Sequence, residues 1–241
     1  MKKLVTAFAA CALAGLVNAQ VESVNIVGYS TINVPAGSSI IAPSFTTVCG
    51  DGTSLTLGMI TPSEDFDAEA LSGGGTIQFI NADGSWGVSA DYWANYGGWF
   101  IRGTETQIND TVIPKGGAVY VYSAAAATFR CAGEIGLTAF TVTIPAGSTQ
   151  LGNSIPVGLT LGDITPSADF DAESATGGGT IQFINADGSW GVSADYWAAY
   201  GGWFIRGTET QINDTPLSEG AGFYVFSNAA ATLTFPAVAD L

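Results

Sequence analysis

The residues whose types and spacing could bind a ligand are concentrated in two aromatic blocks. The first block, which ends at Arg102, contains Trp86, Tyr92, Trp93, Tyr96, Trp99 and Phe100. The same residue types recur at 190–206, and all six tryptophans of the chain lie in these two blocks. Aromatic rings beside amide and carboxylate groups are suited to stacking on a sugar ring or to contacting a protein partner.

Two interpretations of the blocks are open, because a small β domain can also use its large aromatic residues as a core. Strand alternation predicts that Trp86 and Val88 face inward with Phe79, and that Trp99 faces inward with Ile101. The glycine-flanked segment 92–96 is predicted to be an exposed loop. The candidate binding residues are therefore Tyr92, Trp93, Tyr96 and Arg102, with Tyr196, Trp197, Tyr200 and Arg206 in the second block.

Short acidic clusters precede both blocks. Calcium binds six to eight oxygen ligands, so the calcium candidates in these clusters are Asp65, Asp67, Asp169 and Asp171. Neither cluster has the spacing of a helix-loop-helix calcium loop, and acids are also favoured at the start of a helix. We predict no cofactor and no metal site, with Ca²⁺ as the alternative.

The composition excludes several functions. The 241-residue chain has no histidine, which removes His-dependent nucleophiles, general bases and imidazole metal sites. Carboxylate pairs remain for glycosidase chemistry, but nothing singles out one pair, and we predict that the protein is not an enzyme. Six Lys and Arg against 21 Asp and Glu give a net charge of -15, which excludes nucleic acid as a partner and disfavours anionic membranes.

The N-terminus has the pattern of an export signal over residues 1–19. Lys2 and Lys3 precede an apolar stretch at 4–16, and Ala19 ends a small-residue cleavage site. The apolar stretch is shorter than the roughly 20 residues that span a bilayer. We therefore predict a secreted or cell-surface protein with no membrane span, with a lipoprotein acylated at Cys11 as the alternative.

Two cysteines follow the predicted signal. In an oxidising compartment Cys49 and Cys131 are expected to form a disulfide within the chain. Pairing between two chains is the alternative, because the sequence does not place their Cα atoms.

An internal repeat organises the rest of the chain. Residues 73–111 recur at 177–215 with one change, from Asn95 to Ala199, while the flanking segments differ much more. Either gene conversion copied the central segment or a shared requirement maintains it. The predicted domains are a first β-lobe at 20–132 and a second at 133–241.

Local patterns favour strands throughout. Residues 76–80 and 85–88 flank an Asn-Ala-Asp-Gly turn and predict a hairpin, and further β-rich runs follow in both copies. Helical patterns are confined to 63–71 and 90–96. The predicted fold class is all-β, with two tandem β-sandwich or small-barrel lobes after an N-terminal signal peptide.

The sequence also resembles a group of known proteins. The motif VNIVGY at 24–29, followed by VPAG at 34–37, is similar to the mature start of exported, uncharacterised proteins of Planctomycetes and Verrucomicrobia-type bacteria. The glycine-rich strand at 116–120 and the end at 128–135 are similar to the closing pattern of that group, and 220–224 and 232–235 retain part of it. The resemblance implies export and β structure, and it implies no activity.

These observations predict a secreted, non-catalytic structural protein of the cell surface that self-associates through its β-lobes. Donation of residues 21–34 as an edge strand to a neighbouring molecule is the expected mechanism. The alternative is a bivalent module that binds a glycan or another extracellular polymer through the two aromatic loops. The expected partner is accordingly either a second copy or an extracellular polymer.

Overall fold

The computed structural model describes residues 27–45, 55–134 and 136–240. The strands of the first repeat are β1 (Val27–Val34), β2 (Gly37–Ile41), β3 (Thr61–Pro62), β4 (Gly75–Ile80), β5 (Trp86–Trp93), β6 (Gly98–Ile101), β7 (Val119–Ser123) and β8 (Ala127–Glu134). Those of the second are β9 (Phe140–Ile144), β10 (Gly147–Gly152), β11 (Leu159–Thr160), β12 (Thr165–Pro166), β13 (Gly179–Ile184), β14 (Trp190–Trp197), β15 (Gly202–Ile205), β16 (Pro216–Leu217), β17 (Gly222–Ser227) and β18 (Ala231–Phe235).

Each repeat forms one three-stranded and one five-stranded antiparallel sheet. In the first repeat the strand orders are β1-β8-β3 and β2-β7-β4-β5-β6. In the second they are β9-β18-β12 and β10-β17-β13-β14-β15, with β11 and β16 as a small additional ladder. The predictions of an all-β chain and of an internal repeat are confirmed.

The four larger sheets form a four-blade propeller arrangement, so the prediction of two tandem sandwich or barrel lobes is wrong. The five-stranded sheets of the two repeats are joined to each other instead of standing apart. Isolated bridges connect Ile41 with Ala221 and Gly117 with Leu151 across the junction. A hydrophobic cluster of Ile40, Ala42, Ala118 and Tyr224 lies there, with Ile80 and Ile184 packed against it.

Each repeat also has a hydrophobic core between its own two sheets. In the first repeat Phe66 and Trp99 are fully buried, and Phe66 makes an edge contact with Phe129 at 4.8 Å between ring centroids. The corresponding fully buried aromatic residues of the second repeat are Phe170 and Trp203. Burial of this apolar surface is the main stabilising contribution to each repeat.

The hairpin turn of each repeat docks on the other repeat. The Ser38 amide donates a hydrogen bond of 2.6 Å to the Ala186 carbonyl, and the Ser148 amide donates one of 2.7 Å to the Ala82 carbonyl. Gly37 lies at φ +93°, and a Cβ atom built there would be 2.0 Å from the Ala186 oxygen. Glycine is therefore required at this contact for both its conformation and its lack of a side chain.

The predicted hairpin is present in the structure, but the predicted helical segments are not regular α-helices. The hairpin of β4 and β5 is confirmed, with Gly84 of the turn at φ +82°. The predicted helical segments are only the short 3₁₀ turns Glu64–Phe66 and Ala94–Tyr96, and residues 90–93 continue β5. Cross-strand pairing with β4 and β6 outweighs the weak helical pattern of these residues.

Several predictions fall on residues outside the described ranges. These are the signal peptide at 1–19 and Cys49, so the disulfide to Cys131 stays a prediction. Cys131 itself is buried in β8. In the ranges that the structure describes, no helix is long and apolar enough to cross a membrane.

Candidate functional site

The outer face of each five-stranded sheet carries a row of directly opposed side chains. In the first repeat, pairing across β7, β4, β5 and β6 aligns Tyr122, Thr76, Asp91 and Phe100. Directly opposed residues of antiparallel strands project from the same face of a sheet. The corresponding row of the second repeat consists of Phe226, Thr180, Asp195 and Phe204.

Hydrogen bonds fix the polar centre of this row. The Thr76 hydroxyl donates a hydrogen bond of 2.7 Å to Asp91 Oδ1, and Arg102 Nε lies 3.8 Å from Asp91 Oδ2. The Arg102 side chain is largely exposed, so the ion pair contributes little stability. Thr180, Asp195 and Arg206 repeat this arrangement, with distances of 2.7 and 3.7 Å.

An aromatic cleft lies at the outer end of each row. The first cleft has a volume of about 480 Å³ and is lined by Trp93, Tyr96, Phe100, Thr104 and Glu105. The Tyr96 ring makes edge contacts with Trp93 at 6.0 Å and with Phe100 at 6.5 Å between centroids. Three rings are thus held beside a hydroxyl and a carboxylate.

The second repeat builds the same cleft. Its volume is about 500 Å³, and it is lined by Trp197, Tyr200, Phe204, Thr208 and Glu209. The ring distances are 6.0 Å for Trp197 to Tyr200 and 6.3 Å for Tyr200 to Phe204. The two clefts therefore have the same lining residues and nearly the same ring geometry.

The turn that carries Tyr96 is held on one side by a buried aspartate. Asp67 Oδ2 accepts a hydrogen bond of 2.7 Å from the Ala94 amide, and its Oδ1 accepts one of 2.8 Å from the Glu69 amide. The Ala68 amide also donates to the Tyr92 carbonyl at 2.8 Å. These bonds attach the end of β5 to the preceding acidic segment.

Asn109 holds the other side of the turn. Its Oδ1 accepts a hydrogen bond of 2.8 Å from the Trp99 amide, and its Nδ2 donates one of 3.0 Å to the Gly97 carbonyl. Gly97 has φ +75°, and no neighbouring atom comes within 4 Å of a Cβ built there. The left-handed conformation alone thus favours glycine at this position.

The structure brings together only some of the candidate binding residues. Trp93 and Tyr96 share a cleft, as do Trp197 and Tyr200, whereas Arg102 and Arg206 lie beside the rows. Tyr92 instead packs against the core and contacts Trp99 at 5.3 Å, because it projects from the inner face of β5. Partial burial, together with the Asp67 charge, raises the pKa of Tyr92. Tyr196 corresponds to it and contacts Trp203 in the same way.

The prediction that Trp86 and Val88 face inward is wrong, since both side chains are nearly half exposed. The pairing of β4 with β5 shifts between Gln78 and Ile80, and such a bulge reverses the faces of the residues beyond it. Trp86 packs on the outer face against Tyr120, at 5.0 Å between centroids. The predicted inward position of Trp99 is confirmed, as it is fully buried.

Sequence reasoning also missed part of each cleft. Phe100 belongs to the aromatic block, but no pattern marks it as a binding residue, and Thr104 and Glu105 lie in no local motif. Their equivalents, Phe204, Thr208 and Glu209, were missed for the same reason. One sequence signal does include these residues. The near-identical segment extends to residue 111, beyond the last aromatic residue of the block, and so covers Thr104 and Glu105.

Two of the four calcium candidates are hydrogen-bond acceptors in the structure. Both carboxylate oxygens of Asp67 accept backbone hydrogen bonds, and those of Asp171 do the same with Glu173 and Ala198. Asp65 and Asp169 are exposed in short 3₁₀ turns. In the part of the chain that the structure describes, no three His, Cys, Asp or Glu residues form a group that could hold a metal ion.

Comparison of the chain with protein-family models, with curated proteins and with solved structures gave no match.

Proposed function

We propose that this protein is a non-catalytic, secreted module that binds a neutral extracellular polysaccharide at two sites. The observation that supports this proposal is the duplicated cleft of three aromatic rings beside a threonine and a glutamate. The duplicated cleft favours a bivalent polymer-binding module over a purely structural protein.

The chemistry of the clefts suits a sugar ring. The faces of the tryptophan and tyrosine rings can pack against the C–H surface of a pyranose, while a carboxylate and a hydroxyl can bind its hydroxyl groups. Volumes of about 480 and 500 Å³ lie within the roughly 300–1,000 Å³ of small-molecule sites. Each cleft can therefore accommodate a short segment of a glycan chain.

Charge favours a neutral polymer over an acidic one. The chain carries a net charge of -15, and each cleft contains a glutamate at its edge. An anionic glycan would be repelled at both sites. We therefore expect binding to neutral β-glucan or xylan and not to alginate.

Two equivalent sites in one chain make binding bivalent. Once the first cleft holds a polymer, the second cleft meets another segment of the same polymer at a high effective concentration. Avidity can exceed the affinity of one site by about 10²- to 10⁴-fold when both sites can engage together.

The experiment is a binding assay with immobilised cellulose, xylan and alginate. Trp93→Ala and Trp197→Ala are each expected to weaken binding to the neutral polymer strongly, and the double variant is expected to abolish it. Tyr29→Ala is the matched control, because Tyr29 is an exposed aromatic residue on β1, outside both clefts. Full retention of binding by a folded double variant would contradict the proposal.

Strand donation is not part of this proposal. Val27–Val34 pairs along its whole length with β8 of the same chain, and Ile32 and Val34 belong to the core. Donating this strand to a neighbour would require breaking that pairing. Self-association by another route stays a prediction, and light scattering of the purified protein tests it.

A further inference from the structure

We infer that each aromatic cleft also binds a second class of ligand, a small quaternary ammonium ion such as choline. The site is a cage of three aromatic rings with a glutamate at its edge, and the chain holds two such cages. The inference uses the clefts of the proposed function, but it does not depend on the binding of a polysaccharide there.

The rings of each cleft stand at steep angles to one another. In the first cleft the Tyr96 ring is inclined by 69° to Trp93 and by 80° to Phe100. The corresponding angles in the second cleft are 62° and 77°. Rings at such angles form the walls of a box instead of one flat platform, and a box suits a compact, rounded group.

A quaternary ammonium ion matches these walls in shape and in charge. Its methyl groups are apolar, and its positive charge is attracted to the face of an aromatic ring within about 6 Å of the centroid. The Tyr96 centroid lies 6.0 Å from that of Trp93 and 6.5 Å from that of Phe100, so a group between two rings is within this reach of both. The cleft volume of about 480 Å³ leaves room for the ion.

The first cleft has Glu105 as the charged residue of its lining. The Glu105 side chain is exposed, and its carboxylate forms no hydrogen bond or ion pair with any residue that the structure describes. Arg102, which precedes it in the chain, lies 3.8 Å from Asp91 instead. A carboxylate without a cationic partner, beside three rings, attracts a positively charged ligand.

The threonine of the cleft adds to this preference, because the proton of its hydroxyl is already donated. Thr104 Oγ1 donates a hydrogen bond of 3.0 Å to the Ile101 carbonyl and accepts one of 3.1 Å from the Thr106 amide. Thr208 forms the equivalent two bonds in the second cleft. The glutamate therefore carries the polar recognition, and an ionised carboxylate accepts hydrogen bonds but donates none.

The charge of the whole chain acts in the same direction. A net charge of -15 raises the local concentration of cations and lowers that of anions. A methylated ammonium group has no N–H bonds that must lose their water, so it enters an aromatic cleft at a lower cost than a primary ammonium group. The clefts therefore favour a quaternary ammonium ion over a primary amine.

The test is calorimetric titration of the full protein with choline, with glycine betaine and with the neutral isostere of choline in which carbon replaces the nitrogen. We expect two choline ions to bind per chain. The isostere should bind about 10-fold more weakly, because it keeps the shape and lacks the charge. Betaine should also bind more weakly, because the cleft glutamate repels its carboxylate. An isostere that binds as tightly as choline would overturn the inference.

A pair of double variants tests the role of the glutamates. Glu105→Gln with Glu209→Gln is expected to weaken choline binding about 5-fold, through loss of the attraction between close charges in water. The matched control is Asp110→Asn with Asp214→Asn, which changes the net charge equally at exposed residues outside both clefts. The control should keep the affinity for choline. Equal losses in the two variants would assign the effect to overall charge and overturn the cage.

The binding assay with polysaccharides separates this inference from the proposed function. Binding of cellulose or xylan by a protein that does not bind choline would overturn the cage and leave the proposed function intact. Binding of choline by a protein that binds neither polymer would contradict the proposed function and support the cage. Trp93→Ala with Trp197→Ala should abolish choline binding, and a folded double variant that retains it would place the cation elsewhere.

Discussion

Asp67 Oδ2 accepts a hydrogen bond of 2.7 Å from the backbone nitrogen of Ala94, 27 residues further along the chain. Asp171 and Ala198 form the same bond at 2.7 Å in the second repeat. Because Ala94 begins the turn that carries Tyr96, this buried carboxylate positions the aromatic cleft. Asp67, a calcium candidate from the sequence, therefore accepts backbone hydrogen bonds that hold the structure.

Asp67→Asn is expected to destabilise the first repeat by about 1.5–3 kcal/mol, the contribution of hydrogen bonds to a charged group. The amide keeps the shape of the side chain but replaces one acceptor by a donor that faces a backbone N–H. Chemical denaturation measures the effect, and Asp65→Asn is the control, because Asp65 is a nearby exposed acid. Equal stability of the two variants would contradict the positioning role.

Truncation of Trp99 should mainly reduce stability and truncation of Trp93 should mainly reduce binding, although the two residues are only six positions apart. Trp99→Ala removes a fully buried ring and should cost about 3–5 kcal/mol of the free energy of unfolding. Trp93→Ala should cost about 1 kcal/mol or less and act mainly on polysaccharide binding. Urea denaturation of both variants, followed by the binding assay on Trp93→Ala, checks the distinction. A severely destabilised Trp93→Ala would assign this residue to the core.

Gly37→Ala should weaken the docking of the second hairpin turn on the first repeat. The new Cβ atom would lie 2.0 Å from the Ala186 carbonyl oxygen, in addition to the strain of a positive φ. Gly103→Ala is the matched control, since Gly103 also has a positive φ but no atom within 4 Å of the added Cβ. We expect a loss of about 1–3 kcal/mol for the control, from backbone strain alone, and a larger loss for Gly37→Ala by thermal unfolding.

Asn109→Asp should destabilise the cleft, although the side chains are nearly isosteric. The substitution keeps the acceptor for the Trp99 amide and removes the donor to the Gly97 carbonyl, a loss of about 1–3 kcal/mol. Asp110→Asn is the control, because Asp110 is an exposed neighbour. Denaturation curves that do not differ between the two variants would show that Asn109 does not hold the turn.

Cys131 should be unreactive at neutral pH in the reduced protein. Burial raises the pKa of its thiol from 9.0 to about 11, so the reactive thiolate is scarce below that pH. The raised pKa also means that the contribution of this thiol to stability is present below pH 9 and is lost as the pH rises through 11. Iodoacetamide labelling, quantified on the Cys131 peptide between pH 7 and 10, should be slow in the folded protein and fast in urea.

Features that depend on residues adjacent in sequence could be predicted, whereas features that depend on irregular pairing or on distant residues could not. The hairpin of residues 76–88 was predictable because its turn and strands are adjacent in sequence, and the buried position of Trp99 followed from strand alternation. The predicted face of Trp86 is wrong because a bulge in β5 between Trp86 and Ser89, where three residue steps oppose two in β4, reverses the alternation. In the candidate site, Trp93 and Tyr96 were identified from their residue types, whereas Thr104 and Glu105 have no local pattern that marks them.

The all-β class, the internal repeat and the acidic, histidine-free composition follow from the sequence alone, because composition and short-range patterning specify these properties directly. Tertiary structure alone decided how the repeats are joined, since docking of Gly37 against Ala186 depends on contacts between distant segments. It also decided the surroundings of two tyrosines in matching positions, because the Tyr120 hydroxyl lies 2.7 Å from Ser38 Oγ, whereas Tyr224 lies opposite Gln150 and interacts with its side chain. Matching residues of the two repeats thus acquire different surroundings, and these surroundings are set by packing across the whole molecule.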